Sequence, residues 1–449
     1  MRNVLQHPRG LPTLAGTEMW ERMSYYGMRA LLVGYLTKYL LLPGHVEGVL
    51  FYPQVKAFYE MLAGPLTVQP LSSLIYGTYT GLIYATPLLG GWVADNWLGQ
   101  RATAVIGMVL MAFGHFMMAS EALLFPALTL LIFGGGFFKT NTSSQVGLLY
   151  APGDPLRDSG YAIFYVGINL GAFLAPFVCG SLGEMAGWHY GFAAAGVGIL
   201  LALGVYLAGW RHLPPDTRQT APAAQHQPLT HEEWKSIAAL CLLVVPLTLY
   251  WACNEQQGNT MALWSLDDTD RAIDIFGWHA QIPWTWFQSI NPFVIFAGTP
   301  LIVALWQRQG ARQPSSTMKM TVGCFLTAGA NLLMAACAIG GGRTSWLWVA
   351  LYFIVLTLGE IYLYPVSLSL YSKVAPLRLA SLLMGVNFLP NFLGGGFLQG
   401  WLGTLWDKMD KSVFFVMIAA VATAAGLMIW AFDRPLRPHL VERVGEKPA

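Results

Sequence analysis

Charge is scarce in this chain. Lys and Arg number 25, Asp and Glu 23, and together they fill 11% of 449 positions, less than half the roughly 25% of an average soluble domain. With 55% hydrophobic residues and a mean hydropathy of +0.50, this excludes a string of soluble domains and points to a polytopic membrane protein. A net charge of +2 gives no broad basic surface for nucleic acid. Cysteine is sparse as well: Cys179, Cys241, Cys253, Cys324 and Cys337 lie in apolar segments without paired or ligand-like spacing. They read as small core residues rather than disulfides or metal ligands. Nucleotide-binding loops, metal clusters and a credible triad are missing too, so neither an enzyme nor a bound cofactor is expected. The polar start MRNVLQHPRGLPT and the long, charged stretch after it do not fit a cleavable leader, and the first helix is expected to stay.

What is present is apolar sequence in helix-length runs. Twelve stretches of about 20 residues lie near 14–41, 71–93, 101–120, 124–149, 160–184, 188–210, 235–259, 284–308, 317–340, 345–373, 378–403 and 411–432. The only long polar connection at mid-chain, 211–234, suits a solvated linker. It divides the chain into an amino-terminal bundle at 1–210 and a carboxy-terminal bundle at 235–433, followed by a tail at 434–449. Of the 25 Lys and Arg, sixteen fall on the side of the termini, six on the opposite side (Lys38, Lys56, Arg271, Arg343, Lys408, Lys411) and three within the membrane. By the positive-inside rule both termini are expected in the cytoplasm. The loop 43–70 is apolar enough to lie on the membrane surface or over the outer entrance. Trp278, Trp284, Trp286, Trp346, Trp348 and Trp406 near helix ends read as interfacial anchors.

Against that apolar background the buried charges stand out. Glu18, Glu21, Arg22 and Arg29 interrupt the first stretch, and with Tyr25 they follow the spacing of one helical face. Lys139, Glu255 and Glu360 sit deep in other stretches. Charge within a bilayer costs at least a few kcal/mol and by default marks a substrate, ion or proton path. Arg22 can pair with Glu18 one turn back. That leaves Arg29 and Lys139 in the first half facing Glu255 and Glu360 in the second, and a Lys139–Glu255 pair made or broken by protonation would couple a proton to a ligand. Gly134 to Gly136 beside Lys139, and Pro390 with Gly394 to Gly396, mark either kinks or close packing. Asp95 and Arg101 bracket a tight turn, GGWVADNWLGQR, between the second and third stretches.

These motifs resemble one family. The turn at Asp95 is similar to the signature of the major facilitator superfamily. EMWERMSYYG at 18–27 and GYAIFYVGINLGA at 160–172 resemble the first- and fifth-helix motifs of the proton-dependent oligopeptide transporters. FKTNTSS, WACNEQQG, FQSINP and LGEIYLYPVSLSL are further matches. The resemblance implies the major facilitator fold, an all-α membrane protein of twelve transmembrane helices in two six-helix bundles. It also implies roles. Arg29 and Lys139 would hold the carboxyl end of a di- or tripeptide and Glu360 the amino end, with Asn169 and Asn291 nearby and Tyr25, Tyr79 and Tyr165 lining the pocket. Glu18, Glu21 and Arg22 would serve proton coupling, Glu255 a gating salt bridge, and Asp95 with Arg101 a latch. Met23, Thr140, Asn254 and Asn387 depart from the family pattern, and Asn387 puts a polar group where an aromatic wall is usual. The linker is too short for the additional helix pair of many bacterial members.

The expectation is therefore a proton-coupled importer of di- and tripeptides in a bacterial inner membrane, working by alternating access. Its partners would be peptide, protons and lipid, it would act as a monomer, and protons would be the coupling ion with no other cofactor. The alternatives are a same-fold transporter of another small anion or drug, a peptide-binding sensor, and a proton-translocating respiratory subunit.

Overall fold

The computed structural model describes residues 7–151, 154, 156–216, 230–275, 277–376 and 379–436. Most of the expected linker, at 217–229, and the tail from 437 onward lie outside these described residues. Each of the twelve apolar stretches is helical. In chain order the first half holds α1 (Gly10–Tyr35), α3 (Val68–Val93), α4 (Gln100–Met117), α5 (Leu124–Leu148), α6 (Arg157–Ala175) with α7 (Ser181–Met185), and α8 (Trp188–Ala208). The second half holds α9 (His231–Asn254) with α10 (Thr260–Asp267), α11 (Ile290–Gln309), α12 (Ser316–Ile339), α13 (Trp346–Val374), α14 (Ala380–Phe392) with α15 (Gln399–Gly403), and α16 (Lys411–Leu436). Eight of the helices among the described residues are long and apolar enough to cross a membrane on composition alone. The first stretch is not among them, because its charged residues depress its hydropathy.

A helix satisfies the backbone of these stretches within lipid, and it widens in four places among the described residues, two of which contain proline or glycine. Wider π turns occupy Leu36–Leu40, Ala94–Leu98, Pro176–Gly180 and Leu393–Leu398. The last turn contains the Gly394–Gly396 run. Gly134 and Gly136 instead sit within unbroken α5 and pack against Met111 and Thr86. Both glycine runs are packing seams, and the second is also a π turn.

The loop at 43–70 folds into a further helix, α2 (Tyr52–Ala63). Tyr59 pins it by donating to Thr78 Oγ1 at 2.7 Å, while Phe58, Met61 and Leu62 face away from the protein. The helix expected to stop near 259 runs on through α10 to Asp267. It leads into β1 (Thr269–Asp270), which pairs in parallel with β4 (Thr344–Ser345), and into the antiparallel ribbon of β2 (Ala272–Ile275) and β3 (Trp278–Gln281).

In the first half α1 packs on α6 and α8, and α5 on α3 and α4. In the second, α12 packs on α13 and α16, and α9 on α16. Between the halves α3 meets the Leu393–Leu398 turn and α15, where Gly77 and Gly81 face Gly396 and Gly400. A Cβ at Gly77 would come within 2.6 Å of Gly396 O and 2.7 Å of Gly400 Cα. Close backbone approach over small residues is the usual basis of helix association in membranes. Ser73 Oγ donates to Asn259 Oδ1 at 2.9 Å, Gln69 Nε2 to Gly403 O at 3.0 Å, and Lys38 pairs with Asp267 at 2.8 Å. These contacts join the halves at the end away from the chain termini, the far end hereafter. Trp284 and Trp406, expected as interfacial anchors, are 1% and 3% exposed and belong to the protein core. Trp348 remains exposed.

Candidate binding cavity between the two halves

Below the far-end contacts lies a cavity of about 280 Å³. Its walls carry Glu18, Arg22 and Arg29 from α1, Lys139 from α5, Tyr165 and Asn169 from α6, Asn291 from α11 and Glu360 from α13, with Glu255 at the end of α9. Residues from at least five separate apolar stretches thus converge on one space. Three acids face three bases there, inside a protein whose charged residues are scarce.

Along α1 the face divides in two. Glu18, Arg22, Tyr26 and Arg29 line the large cavity. Glu21, Tyr25 and Tyr79 line a smaller pocket behind it, with Arg22, His115 and Lys139. The single stripe expected of positions 18, 21, 22, 25 and 29 is therefore two stripes, one on each side of Arg22. Arg22 Nε lies 2.8 Å from Glu18 Oε1 and 3.0 Å from Glu21 Oε2, and Thr142 Oγ1 donates to Glu18 Oε2 at 3.1 Å. One guanidinium thus serves two carboxylates.

Glu255 pairs with Arg29 across the halves, not with Lys139 as expected. Arg29 Nε also donates to Tyr76 Oη at 2.8 Å. The guanidinium reaches farther than an ammonium and offers donors in two directions, so it holds Tyr76 and Glu255 together. Lys139 stands over the ring of Tyr84, its Nζ 4.5 Å from the ring centre. A ring face partly compensates a cation and leaves the ammonium donors able to turn toward a ligand. In the second half Asn291 Nδ2 donates to Glu360 Oε2 at 2.8 Å and to Thr357 Oγ1 at 3.2 Å. In the first, Asn169 Nδ2 donates to Tyr165 O at 2.9 Å.

The remaining candidates lie elsewhere. Asn387 is buried outside the cavity, and both polar atoms of its amide are unpartnered among the described residues. Asn254 bonds to Tyr250 Oη and Gln257. Asp95 is exposed. Arg101 binds the segment after α8, donating its Nε to Pro214 O at 2.7 Å, its backbone N–H to Asp216 Oδ1 at 2.8 Å and a further N–H to Leu213 O. Tyr26, Tyr84, Trp251 and Asn391 line the cavity without having been singled out from the sequence. For Tyr26 the signal was available: it lies four residues after Arg22 and three before Arg29.

Comparison with known proteins agrees with this architecture. Residues 101–228 and 217–422 match the sequence profile of the POT family. A di-/tripeptide transporter of Lactococcus lactis subsp. cremoris is 30% identical, covering 96% of this chain and 96% of its own. A peptide transporter POT solved with sulfate is 29% identical with a TM-score of 0.84, covering 98% of this chain and 97% of its own. A POT family transporter solved with 5-aminolevulinic acid has the same TM-score at 26% identity, covering 98% of both chains.

Proposed function

This chain belongs to the POT family, and we infer that it is a peptide transporter that carries di- and tripeptides together with protons by alternating access. The observation that carries the reading is the charge distribution in the cavity. Arg29 and Lys139 from one half and Glu360 from the other line the same small space, so a zwitterion can bind its carboxylate to the first half and its ammonium to the second. At about 280 Å³ the space is near the lower end of the ~300–1,000 Å³ of small-molecule sites, which favours short peptides.

Placed in a bacterial inner membrane with both termini in the cytoplasm, the far end is the outer side. The contacts there close that side, and the two bundles, 1–210 and 235–433, rock about the cavity. A peptide carboxylate competes with Glu255 for Arg29, so ligand binding and the outer ion pair are linked. Glu18 and Glu21 share Arg22, and a proton on either frees the guanidinium for the other. A neutral zwitterion moving with one proton gains ~2.3 kcal/mol per 100 mV and about 1.4 kcal/mol per pH unit, sufficient for a gradient of several hundredfold.

Competition tests the substrate class. A panel of di- and tripeptides should displace a labelled dipeptide from the purified transporter, and amino acids and inorganic anions should not. If no peptide competes, the substrate is a different one.

A further inference from the structure

The first turn of the eighth stretch, Trp284–Ser289, is fastened to the other half of the protein. Trp286 Nε1 donates to Ser181 Oγ at 2.8 Å, Gln288 Nε2 to Ala30 O at 3.3 Å, and Ser289 Oγ to Phe173 O at 2.9 Å. Trp284 packs over Gly34, and Thr285 fills the space left by the missing side chain of Gly180. At the centre is Glu184, on α7 of the first half. Its Oε1 accepts from Thr285 Oγ1 at 2.9 Å and from Thr285 N–H at 3.2 Å. Its Oε2 accepts from Trp284 N–H at 3.2 Å and from Arg271 Nη1 at 3.3 Å. Arg271 also donates to Ile282 O at 2.9 Å, which closes the β2–β3 ribbon onto the same carboxylate.

One side chain of the first half thus satisfies four donors of the second, among them two backbone amides at the start of a helix, which have no partner within that helix. Bonds to a carboxylate are the stronger class, and here they are sheltered, with Glu184 and Arg271 15% and 16% exposed. The turn is also joined to the binding cavity by the chain itself: Asn291, which holds Glu360, follows Ser289 by two residues.

We propose that Glu184 is a second far-end gate residue, separate from the Arg29–Glu255 pair. It holds the Trp284–Ser289 turn against the first half, and the far end opens only when these bonds release, moving the segment that carries Asn291. This rests on the alternating-access reading given above. Glu184 acts through the turn and does not touch the peptide, so it is a positioning residue.

The test uses the full-length transporter in proteoliposomes, with Cys241 and Cys337 changed to serine. Spin labels are placed at Leu50 and Leu347, which are exposed and outside the network. Their distance distribution reports far-end opening without any peptide. E184A should raise the population of the longer distance at least threefold, E184Q less, since its amide oxygen still accepts from the turn, and T285V less again. The apparent KM for peptide offered from the far side should fall in the same order while the maximal rate also falls, because more molecules present an open outer site. Unchanged distance populations in folded E184A, or in T285V if E184A does not fold, would overturn the proposal. So would a lowered Tm with KM and distances unmoved, the signature of a purely structural role. If no peptide is carried but the distances shift, the substrate reading fails and the gate stands.

Discussion

Arg29 and Glu255, 226 positions apart in the chain, form a buried ion pair between the two halves. Among the described residues neither charge has a second ion-pair partner, and Tyr76 offers Arg29 only a neutral oxygen.

Breaking this pair from one side should therefore cost more than removing it. A single Glu255→Gln change leaves a buried guanidinium without its counter-charge, worth about 3–5 kcal/mol, and should lower the thermal midpoint in detergent clearly. The Arg29→Gln, Glu255→Gln double variant should recover part of that loss. A double-mutant cycle of thermal unfolding measures the coupling, and additive losses would mean that the two charges do not stabilise each other.

Lys139 faces a ring rather than an acid, which makes its ammonium available to a ligand carboxylate. Lys139→Ala should weaken peptides with a free carboxyl terminus tenfold or more, in line with about 1.5–3 kcal/mol for a charged hydrogen bond. Amidated peptides should bind the parent protein weakly and lose little further in the variant. Equal losses for both peptide types would place Lys139 outside the carboxylate site.

Glu21 shares Arg22 with Glu18 but faces the small pocket rather than the large cavity. Glu21→Gln should abolish accumulation driven by a proton gradient while leaving exchange of labelled for unlabelled peptide measurable. Uphill uptake at the parent rate in this variant would remove Glu21 from the coupling.

Gly77 has no room for a side chain while the halves are joined at the far end. Gly77→Val should hold that end open: spin labels across it should report mainly the longer distance, and net uptake should fall by an order of magnitude. A closed distance distribution with normal uptake would show that the seam tolerates the branch.

Much of the fold was legible because lipid imposes so few solutions. Length and hydropathy located the long helical stretches though not α2, and the rarity of buried charge singled out residues 18, 21, 22, 29, 139, 255 and 360, most of which converge on one cavity. Partnership was not legible. Whether Glu255 meets Arg29 or Lys139 depends on how α1 and α5 are rotated against the other half, and sequence spacing along one helix carries no information about rotation between helices. Tyr25 was placed with Arg22 and Arg29 where Tyr26 belongs: adjacent residues lie about 100° apart around a helix, enough to send one to each cavity. Trp284 and Trp406 were misread because aromatic residues near helix ends suit both a lipid interface and a packed one. Glu184 escaped notice because it lies at the edge of its stretch, where a carboxylate is unremarkable until Thr285 and Arg271 are brought to it.

The proposed coupling of a proton gradient to peptide movement through this cavity is measured most directly as uptake. Purified transporter in proteoliposomes, given a labelled dipeptide and an inward proton gradient with a negative interior, should concentrate the dipeptide many-fold, and an uncoupler should collapse the accumulation to equilibration. Accumulation that ignores the uncoupler, or no dipeptide entry under any gradient, would contradict proton-coupled peptide transport.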